Sequence, residues 1–434
     1  MRKYLLLLFV LITSLSLFAQ GKSITLEQCR EMARQNYPEI MKYSLIEKSK
    51  EYNISNASKS WLPQISISGK ASYQSDVTSI PLEGLESLLP GFEIPTVSKD
   101  QYTLQAEITQ IVWDGGRTKA QKEIIESQSN IERSSIEVNL YALEERVDQI
   151  YFGILLQEEI LKQCELLKEE LYNNLLMIEA LINNGVASLS DKQLFEVEIL
   201  QVEQQMIIIR SSVLSYRRAM HYMIGKELTE SVEFITPPII SQISGEVISR
   251  PELDYFDAQQ NLLVSKEAAV NKDLMPSMNL FLNGGYGRPA LNMLDNNFKP
   301  YAIGGVRITW NIGNLYTRKN NLNLIATQKS NIKVERDKFL YNTQIERINQ
   351  DEAIVKTRQL MESDKQIYRL RESVKCATEA KVKNGIATAT DLVTDISAKS
   401  RAERQLQVRK IELLSQIYSL IHTVSSEKQL LPYF

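Results

Sequence analysis

The residue types that usually build catalytic and metal sites are scarce in this 434-residue chain, which has three cysteines and two histidines. Cys29, Cys164 and Cys376 lie far apart and lack the CxxC spacing of a metal knuckle. His221 and His422 have no cysteine or carboxylate beside them at ligand spacing. We therefore predict buried thiols and structural histidines, and neither a disulfide framework nor a metal site.

The sequence also lacks the motifs of common enzyme classes. The glycines at 284, 285 and 287 do not have the spacing of a phosphate-binding loop. No nucleophile elbow and no zinc-helix motif occur anywhere in the sequence. A formal net charge of -3 gives no basic surface for nucleic acid. We predict no enzyme, no cofactor and no nucleic-acid partner.

Long apolar runs are absent after the amino end. Arg2 and Lys3 precede a short apolar core that ends at Ala19, which is typical of a signal peptide over residues 1–19. The alternative, a membrane anchor, needs roughly 20 apolar residues, and this core is shorter. No later segment could cross a bilayer as a helix. An exported chain of this kind that enters a membrane must therefore do so with strands.

The sequence contains two similar halves. Turn motifs recur at an offset of 200 residues, prolines at 213 and tryptophans at 197, so the first half carries an insertion before its tryptophan. The matched features are Asn184-Gly185-Val186-Ala187 with Asn384-Gly385-Ile386-Ala387, Pro38 and Pro63 with Pro251 and Pro276, and Trp113 with Trp310. These matches predict structural repeats over 20–235 and 251–425, a linker over 236–250 and a tail over 426–434.

Each half contains a pair of alternating segments. From Gln64 to Gln74, and again from Gln101 to Thr109, apolar and polar residues alternate strictly, which predicts strands with one apolar face. The phase slips before Ile111, which predicts a bulge. Segments 277–287 and 300–310 form the corresponding pair. We predict β-hairpins over 64–113 and 277–310, the first with an outer loop over 76–100.

Helical segments surround the hairpins. Residues 25–60 are predicted to be helical and to begin with a capping box formed by Thr25 and Gln28. Residues 116–183 and 314–383 contain no proline, and helices of this length would extend about 100 Å. With returning helices over 190–224 and 391–425, the sequence predicts helical hairpins over 116–224 and 314–425.

Four strands per chain cannot close a barrel alone. Strands of this length suit an outer-membrane barrel, although a soluble sheet with one wet face alternates in the same way. Trp61, Trp113 and Trp310 lie at strand ends that adjoin helices, where an interfacial girdle is expected. Open edges would leave backbone groups unpaired in hydrocarbon. Three copies would supply twelve strands around a lumen, so we predict a homotrimer in outer-membrane lipid.

The order of these features resembles that of the TolC-like outer-membrane efflux family. The resemblance includes the leader, an opening helix from Leu26-Glu27 to Pro38-Glu39, the Trp113-Asp114-Gly115-Gly116 sequence before the long helix, and both glycine turns. It implies a mixed α and β membrane protein, with a trimeric twelve-stranded barrel continuous with a long periplasmic helical barrel. It also implies an outer-membrane channel of a tripartite efflux or type I secretion system, served by a periplasmic adaptor and an inner-membrane transporter. The cargo is not named by the sequence.

The resemblance also implies roles for residues at the helix turns. The family's tip turns contact the adaptor, which by position indicates Asn184, Gly185, Val186, Asn384, Gly385 and Ile386. An acidic tip aperture would fall at Asp191, Asp391 and Asp395, the last being one residue beyond the matching position, which is Thr394. Asp191 and Asp391 would equally suit helix N-terminal residues favoured by the macrodipole. The Tyr and Arg of the family's polar tip lock would fall at Val382 and Ala387, so the same lock is not expected here.

A second function remains open from the sequence. Apolar residues at coiled-coil spacing, such as Val147, Ile150, Ile154 and Leu161, would also suit a periplasmic scaffold or adaptor that forms no pore. Such a protein would not need alternating hairpins flanked by tryptophans.

Overall fold

The computed structural model describes residues 23–78, 97–229, 231–240 and 248–424. The predicted signal peptide, most of the first outer loop, part of the linker and the 426–434 tail lie outside these residues. In chain order the elements are β1 (Ser23–Ile24), α1 (Leu26–Asn36), α2 (Lys42–Lys59), β2 (Gln64–Tyr73), β3 (Asp100–Trp113), α3 (Arg117–Asn183), α4 (Leu189–Ile224), β4 (Glu233–Phe234), α5 (Pro251–Lys272), β5 (Ser277–Arg288), β6 (Lys299–Thr309), α6 (Asn314–Lys383) and α7 (Ala389–Val424).

The first predicted helix is in fact two helices. The capping box is confirmed: the Thr25 hydroxyl accepts from the Gln28 amide, and the Gln28 side chain accepts from the Thr25 amide. Helix α1 ends at Asn36, and a short 3₁₀ helix over Pro38–Met41 precedes α2. The expectation of one helix over 25–60 was wrong because Pro38 has no N–H to donate and forces Tyr37 into an extended conformation.

The four long strands form one antiparallel sheet in the order β2-β3-β5-β6. Both predicted hairpins are confirmed, and β3 pairs with β5 to join them. The register shifts between Ile111 and Trp113, which confirms a bulge one step beyond its predicted position. Because of this shift, Ile111 lies opposite Asn279 and Trp113 lies opposite Met278.

The long helices match the Pro-free stretches. Helix α3 has 67 residues and α6 has 70, and the returning helices α4 and α7 have 36 each. Within the described residues, no helix combines the length and the apolar character needed to cross a membrane.

Two compact units divide the chain. We call Tyr43–Arg133 with Tyr255–Glu335 the sheet unit, and the remaining described residues the helical unit. Each unit takes segments from both halves of the sequence. The boundaries of the two sequence repeats therefore stay a prediction.

The core of the helical unit nearest the two turns is built from all four long helices. It contains Leu171 and Ile178 of α3, Phe195 of α4, Val382 of α6 and Ile396 of α7. At its side, the Glu170 carboxylate of α3 contacts Lys375 of α6 at 2.7 Å and Lys399 of α7 at 3.3 Å. Apolar burial and partly buried ion pairs thus join the first helical hairpin to the second.

The other end of the helical unit is tied together by buried polar groups. Arg30 of α1 makes a two-pronged ion pair with Asp148 of α3, at 2.6 Å for each contact. The single Tyr151 hydroxyl proton is shared between two backbone carbonyls, that of Ile24 in β1 at 3.0 Å and that of Ile235 just after β4 at 2.6 Å. Because these groups satisfy one another, their burial carries no unpaired charge.

His422 lies in this same region. Among the described residues it belongs to no group of side chains that could hold a metal ion. Its ring stacks on Tyr141 with centroids 3.8 Å apart, and the Tyr141 hydroxyl donates to the His422 carbonyl. Burial, together with the positive charges of Arg30 and Arg250, lowers the pKa of His422 to about 3. The imidazole is therefore neutral in the folded chain.

This burial predicts an acid sensitivity. Below pH 6.5 the unfolded chain takes up a proton at His422 that the folded chain does not bind until about pH 3. We expect this site to lower stability by up to about 1.4 kcal/mol per pH unit as pH falls through that window. The measurement is thermal loss of helical circular dichroism between these pH values, and His422→Phe should flatten the dependence.

His221→Phe is the matched control, since His221 is exposed. An unchanged pH dependence in His422→Phe would show that other groups govern acid unfolding.

Candidate functional site

The sheet has one apolar and one polar face. Directly paired residues of neighbouring strands share a face, so the register assigns every strand residue. The apolar face carries Ile65, Ile67, Gly69 and Ala71 of β2, Tyr102, Leu104, Ala106 and Ile108 of β3, Leu280, Leu282, Gly284 and Tyr286 of β5, and Ala302, Gly304, Val306 and Ile308 of β6. Polar residues on this face lie near its ends: the ion-paired Asp100 and Arg288 at the loop end and Gln110 at the other. The large apolar side chains of this face are exposed. An exposed apolar surface of this extent indicates contact with lipid or another apolar partner.

The opposite face is mainly polar. It carries Gln64, Ser66, Ser68, Lys70 and Ser72 of β2, Gln101, Thr103, Gln105, Glu107 and Thr109 of β3, Asn279, Phe281, Asn283, Gly285 and Gly287 of β5, and Lys299, Tyr301, Ile303, Gly305, Arg307 and Thr309 of β6. Glu107 and Arg307 approach to 3.4 Å across the sheet. This face has the chemistry of a surface wetted by water.

Both outer strands are open on one side. Within the described residues, β2 pairs only with β3, and β6 pairs only with β5. Each therefore presents a row of backbone groups that no strand of the same chain satisfies there.

Aromatic side chains occupy both ends of the sheet. Trp61, Trp113 and Trp310 are exposed at the end next to the helices, and the Trp310 indole donates to the Leu274 carbonyl at 3.0 Å. At the loop end a second exposed group comprises Tyr73, Tyr102, Tyr286 and Phe298. Sequence reasoning missed this second group, although Tyr73, Tyr102 and Tyr286 continue the apolar alternation to the strand ends. The interfacial role of the tryptophans stays a prediction.

The Asp114-Gly115-Gly116 turn joins β3 to α3 and is fixed by local contacts. The Asp114 carboxylate accepts from the amides of Gly116 at 2.8 Å and Thr118 at 2.7 Å. Partial burial raises the pKa of Asp114, but the hydrogen bonds from Thr118 and Gly116 outweigh it and leave that pKa below the usual value. Gly115 has φ +70°, and a Cβ there would lie 2.4 Å from the Met275 Cβ. Only glycine fits this position.

The two helix turns share one geometry. Gly185 and Gly385 have φ values of 74° and 71°. The amides of Val186 and Ile386 donate to the carbonyls five residues back, Leu181 and Lys381 respectively, at 2.9 Å. The glycine amides donate to the carbonyls three residues back. This is the Schellman arrangement, in which a left-handed glycine satisfies the last carbonyls of a helix.

The side chains of the two turns lie close together. A Cβ on Gly385 would lie 3.6 Å from the Val186 Cγ1, whereas Gly185 has open space around it. Val186 is 56% exposed and Ile386 is 75% exposed. The turns therefore present neighbouring apolar side chains at the end of the helical unit.

The predicted aperture aspartates each have an intramolecular partner. Asp191 and Asp391 form capping boxes with Ser188 and Thr388, whose amides and hydroxyls donate to the carboxylates at 2.7–3.0 Å. Hydrogen bonds from the Thr388 hydroxyl and amide lower the pKa of Asp391. Asp395 accepts from the Thr378 hydroxyl at 2.7 Å. Helix capping accounts for the first two carboxylates, and an aperture role stays a prediction.

The positions expected for a polar lock are apolar and packed. Val382 is buried in the four-helix core, and Ala387 packs against that core. No polar link can form from these two side chains.

Comparison with known proteins gives a consistent result. Residues 29–226 match the sequence family described as outer membrane efflux protein. No curated protein sequence matches the chain. Among solved structures, similar folds include the outer membrane protein VceC of Vibrio cholerae, at 14% identity and TM-score 0.60, covering 92% of this chain and 96% of that one.

Two further structures have the same fold. The CmeC outer membrane channel of Campylobacter jejuni matches at 12% identity and TM-score 0.62, covering 94% of this chain and 88% of that one. The open state of the MtrE outer membrane channel of Neisseria gonorrhoeae matches at 15% identity and TM-score 0.62, covering 92% and 88%.

The geometry of the first turn predicts how it responds to substitution. Gly185→Ala should destabilise the turn by about 1–2 kcal/mol, because an L-residue is strained at this φ while the space around it is open. Gly185→Asn should cost less, because asparagine tolerates the left-handed region. Amide hydrogen exchange of Val186 and Ala187 would measure the difference. Equal protection in both variants would contradict the assignment of backbone strain.

Proposed function

We propose that three copies of this chain, whose residues 29–226 match the outer membrane efflux protein family, form a closed conduit that passively carries substrates out of the cell. The protein is located in the outer membrane, with its helices extending into the periplasm. The proposed conduit receives its cargo from an inner-membrane transporter through a periplasmic adaptor. It serves a tripartite efflux or type I secretion system.

One observation carries this proposal: a four-stranded sheet that is apolar on one face, polar on the other and open at both edges. The apolar face suits lipid and the polar face suits a water-filled lumen. Unpaired edges cannot persist in hydrocarbon, because each unsatisfied backbone group costs several kcal/mol. The edges of β2 and β6 must therefore be paired by strands of other copies.

The number of copies follows from the size of the lumen. Two copies would give about eight strands, and side chains fill the interior of a barrel of that size. Three copies would give about twelve strands and a lumen, in a closed ring of identical contacts. The aromatic groups at the two ends of the sheet would then form girdles at the two membrane interfaces.

The halves are proposed to be structural repeats. Each contains an opening helical segment, a pair of strands, a long helix and a returning helix in the same order, although the opening segment is two helices in the first half and one in the second. We place the repeats at 20–235 and 251–425, joined by the linker at 236–250.

The turns are the proposed adaptor contact. The turn Asn184-Gly185-Val186 lies beside the turn Asn384-Gly385-Ile386, and Val186 and Ile386 are exposed apolar side chains. A small apolar patch around rigid turns suits docking of another protein. Asp191, Asp391 and Asp395 are proposed at the aperture through the family resemblance.

A pore-free periplasmic scaffold is the alternative. It would leave the apolar face of the sheet exposed to water, with two open edges beside it. Such a surface would aggregate.

The membrane assignment predicts opposite outcomes for two neighbouring substitutions. Ile67→Lys places a charge on the apolar face, which near the bilayer centre costs about 2–4 kcal/mol. Ser68→Lys places the same charge on the polar face. We expect Ile67→Lys to reduce recovery of heat-modifiable trimer from outer-membrane fractions, and Ser68→Lys to preserve it. Equal recovery of both variants, or a soluble monomer from the native chain, would favour the scaffold.

The adaptor assignment predicts a loss of export without a loss of assembly. Ile386→Lys adds a desolvated charge to the proposed contact, and we expect export to fall by about tenfold or more, as for loss of a contact worth about 1.4 kcal/mol or more. Cross-linking to the adaptor in cells and cargo efflux would measure it. Tyr222→Lys is the control, because Tyr222 is 84% exposed on α4 far along the chain from either turn. Full efflux in Ile386→Lys would remove this turn from the contact.

A further inference from the structure

A tyrosine ring lies across the polar face of the sheet, over a glycine. Tyr301 of β6 is directly opposite Gly285 of β5, and Gly285 is opposite Gln105 of β3. The Tyr301 hydroxyl crosses β5 to donate to the Gln105 Oε1 at 3.2 Å. A Cβ built on Gly285 would lie 2.5 Å from the Tyr301 Cζ. The ring thus occupies the space that a side chain at position 285 would need.

A second ring on the same face has a similar arrangement. Phe281 of β5 is directly opposite Gly305 of β6, and a Cβ on Gly305 would lie 3.1 Å from the Phe281 Cε1 and Cζ. The Arg307 guanidinium lies 4.8 Å from the centre of the Phe281 ring and reaches the Glu107 carboxylate at 3.4 Å. Arg307 therefore makes a cation–π contact with the Phe281 ring and an ion pair with Glu107 at the same time.

The backbone does not require either glycine. Neither Gly285 nor Gly305 is among the glycines with positive φ in the described part of the chain, so both positions have backbone angles open to any residue. Glycine inside a strand weakens it through chain entropy and lost side-chain packing. The aromatic rings that cover Gly285 and Gly305 offset part of this loss of strand stability. What the missing Cβ atoms provide is room for the rings to lie flat.

We propose that Gly285 and Gly305 set the clear width of the conduit, and so the size of the cargo that passes, by letting Tyr301 and Phe281 lie flat against its wall. This inference rests on the proposed function, in which the polar face lines the lumen. An alanine at position 285 must displace the Tyr301 ring, because its Cβ would lie 2.5–2.7 Å from three atoms of that side chain. In this proposal the ring moves away from the sheet and into the lumen. Threefold assembly repeats the effect three times at one level of the lumen.

A thiol placed on β2, in the same row of directly paired residues as Gly285 and Tyr301, would report the width of the lumen at that level. Reagents added outside the cell would reach it whether or not the helix turns are open. Ser68 of β2 is opposite Gln105, in the row that contains Gly285 and Tyr301. Ser68→Cys would be made in a Cys376→Ser background, which removes the exposed native thiol. Cys29 and Cys164 are buried, and burial raises the pKa of Cys29 to about 12, so neither reacts readily.

The probe is a pair of methanethiosulfonate reagents, one with a small ammonium head and one with a bulky polymer head, applied outside intact cells. We measure the reaction rate of the bulky reagent divided by that of the small reagent. We expect Gly285→Ala to lower this ratio by about tenfold. Gly305→Ala, with its milder contact, should lower the ratio less. Gly284→Ala is the matched control: it lies on the apolar face, and its Cβ would have no neighbour nearer than the Tyr301 carbonyl oxygen at 4.0 Å.

A double variant separates the ring from any general damage. Gly285→Ala with Tyr301→Ser should restore the native ratio, because no ring remains to be displaced. The width proposal is overturned if Gly285→Ala matches Gly284→Ala, or if the double variant fails to recover. If the thiol of Ser68→Cys reacts with neither reagent in the otherwise native chain, yet reacts after denaturation, the polar face does not line an open lumen. In that case the proposed function itself fails.

Discussion

The hydrogen-bonding demand of the peptide backbone governs this structure. Strands β2 and β6 each have one partner within the described chain, so the sheet ends in two rows of unsatisfied donors and acceptors. In water these rows would be hydrated, but an apolar face with large exposed side chains draws the sheet out of water. Hydrocarbon offers no substitute partners. In the assembly proposed above, strands of further copies would meet both demands, burial of the apolar face and pairing of the open edges.

The same sheet shows how much of the fold was readable from the sequence. The alternation of apolar and polar residues predicted all four strands and their two faces, because successive side chains of a strand point to opposite faces of the sheet. It also revealed the bulge near Ile111, since a slip in phase has no other simple cause. The long helices were readable from the absence of proline. The division of residues 25–60 at Pro38 was not predicted. The capping box at Thr25 correctly indicated the start of a helix, but that helix was assumed to continue past Pro38, which cannot donate the next backbone hydrogen bond.

Contacts between distant segments were not readable. Nothing in the pattern predicts that Tyr301 reaches Gln105 across Gly285, because that depends on the register of three strands at once. Nor does the sequence show that Glu170 meets both Lys375 and Lys399, since these residues come from different hairpins. The glycines at 284 and 285 look alike in the sequence, yet they lie on opposite faces with very different surroundings. Which side chains meet is determined by strand register and by tertiary packing, and neither can be inferred from the composition of the sequence.

The turn aspartates show why position alone does not assign a role. Asp191 and Asp391 each accept two or more hydrogen bonds from the residue three positions earlier, which satisfies helix-terminal donors. Any protein with this turn would gain about 1 kcal/mol from such a cap, whatever passes near it. Their presence at both turns therefore follows from folding, and an effect on cargo needs evidence beyond the carboxylates themselves. Asp395 differs, because its partner is the Thr378 hydroxyl on the preceding helix. It is the aspartate whose contact could change if the helices of this hairpin moved apart.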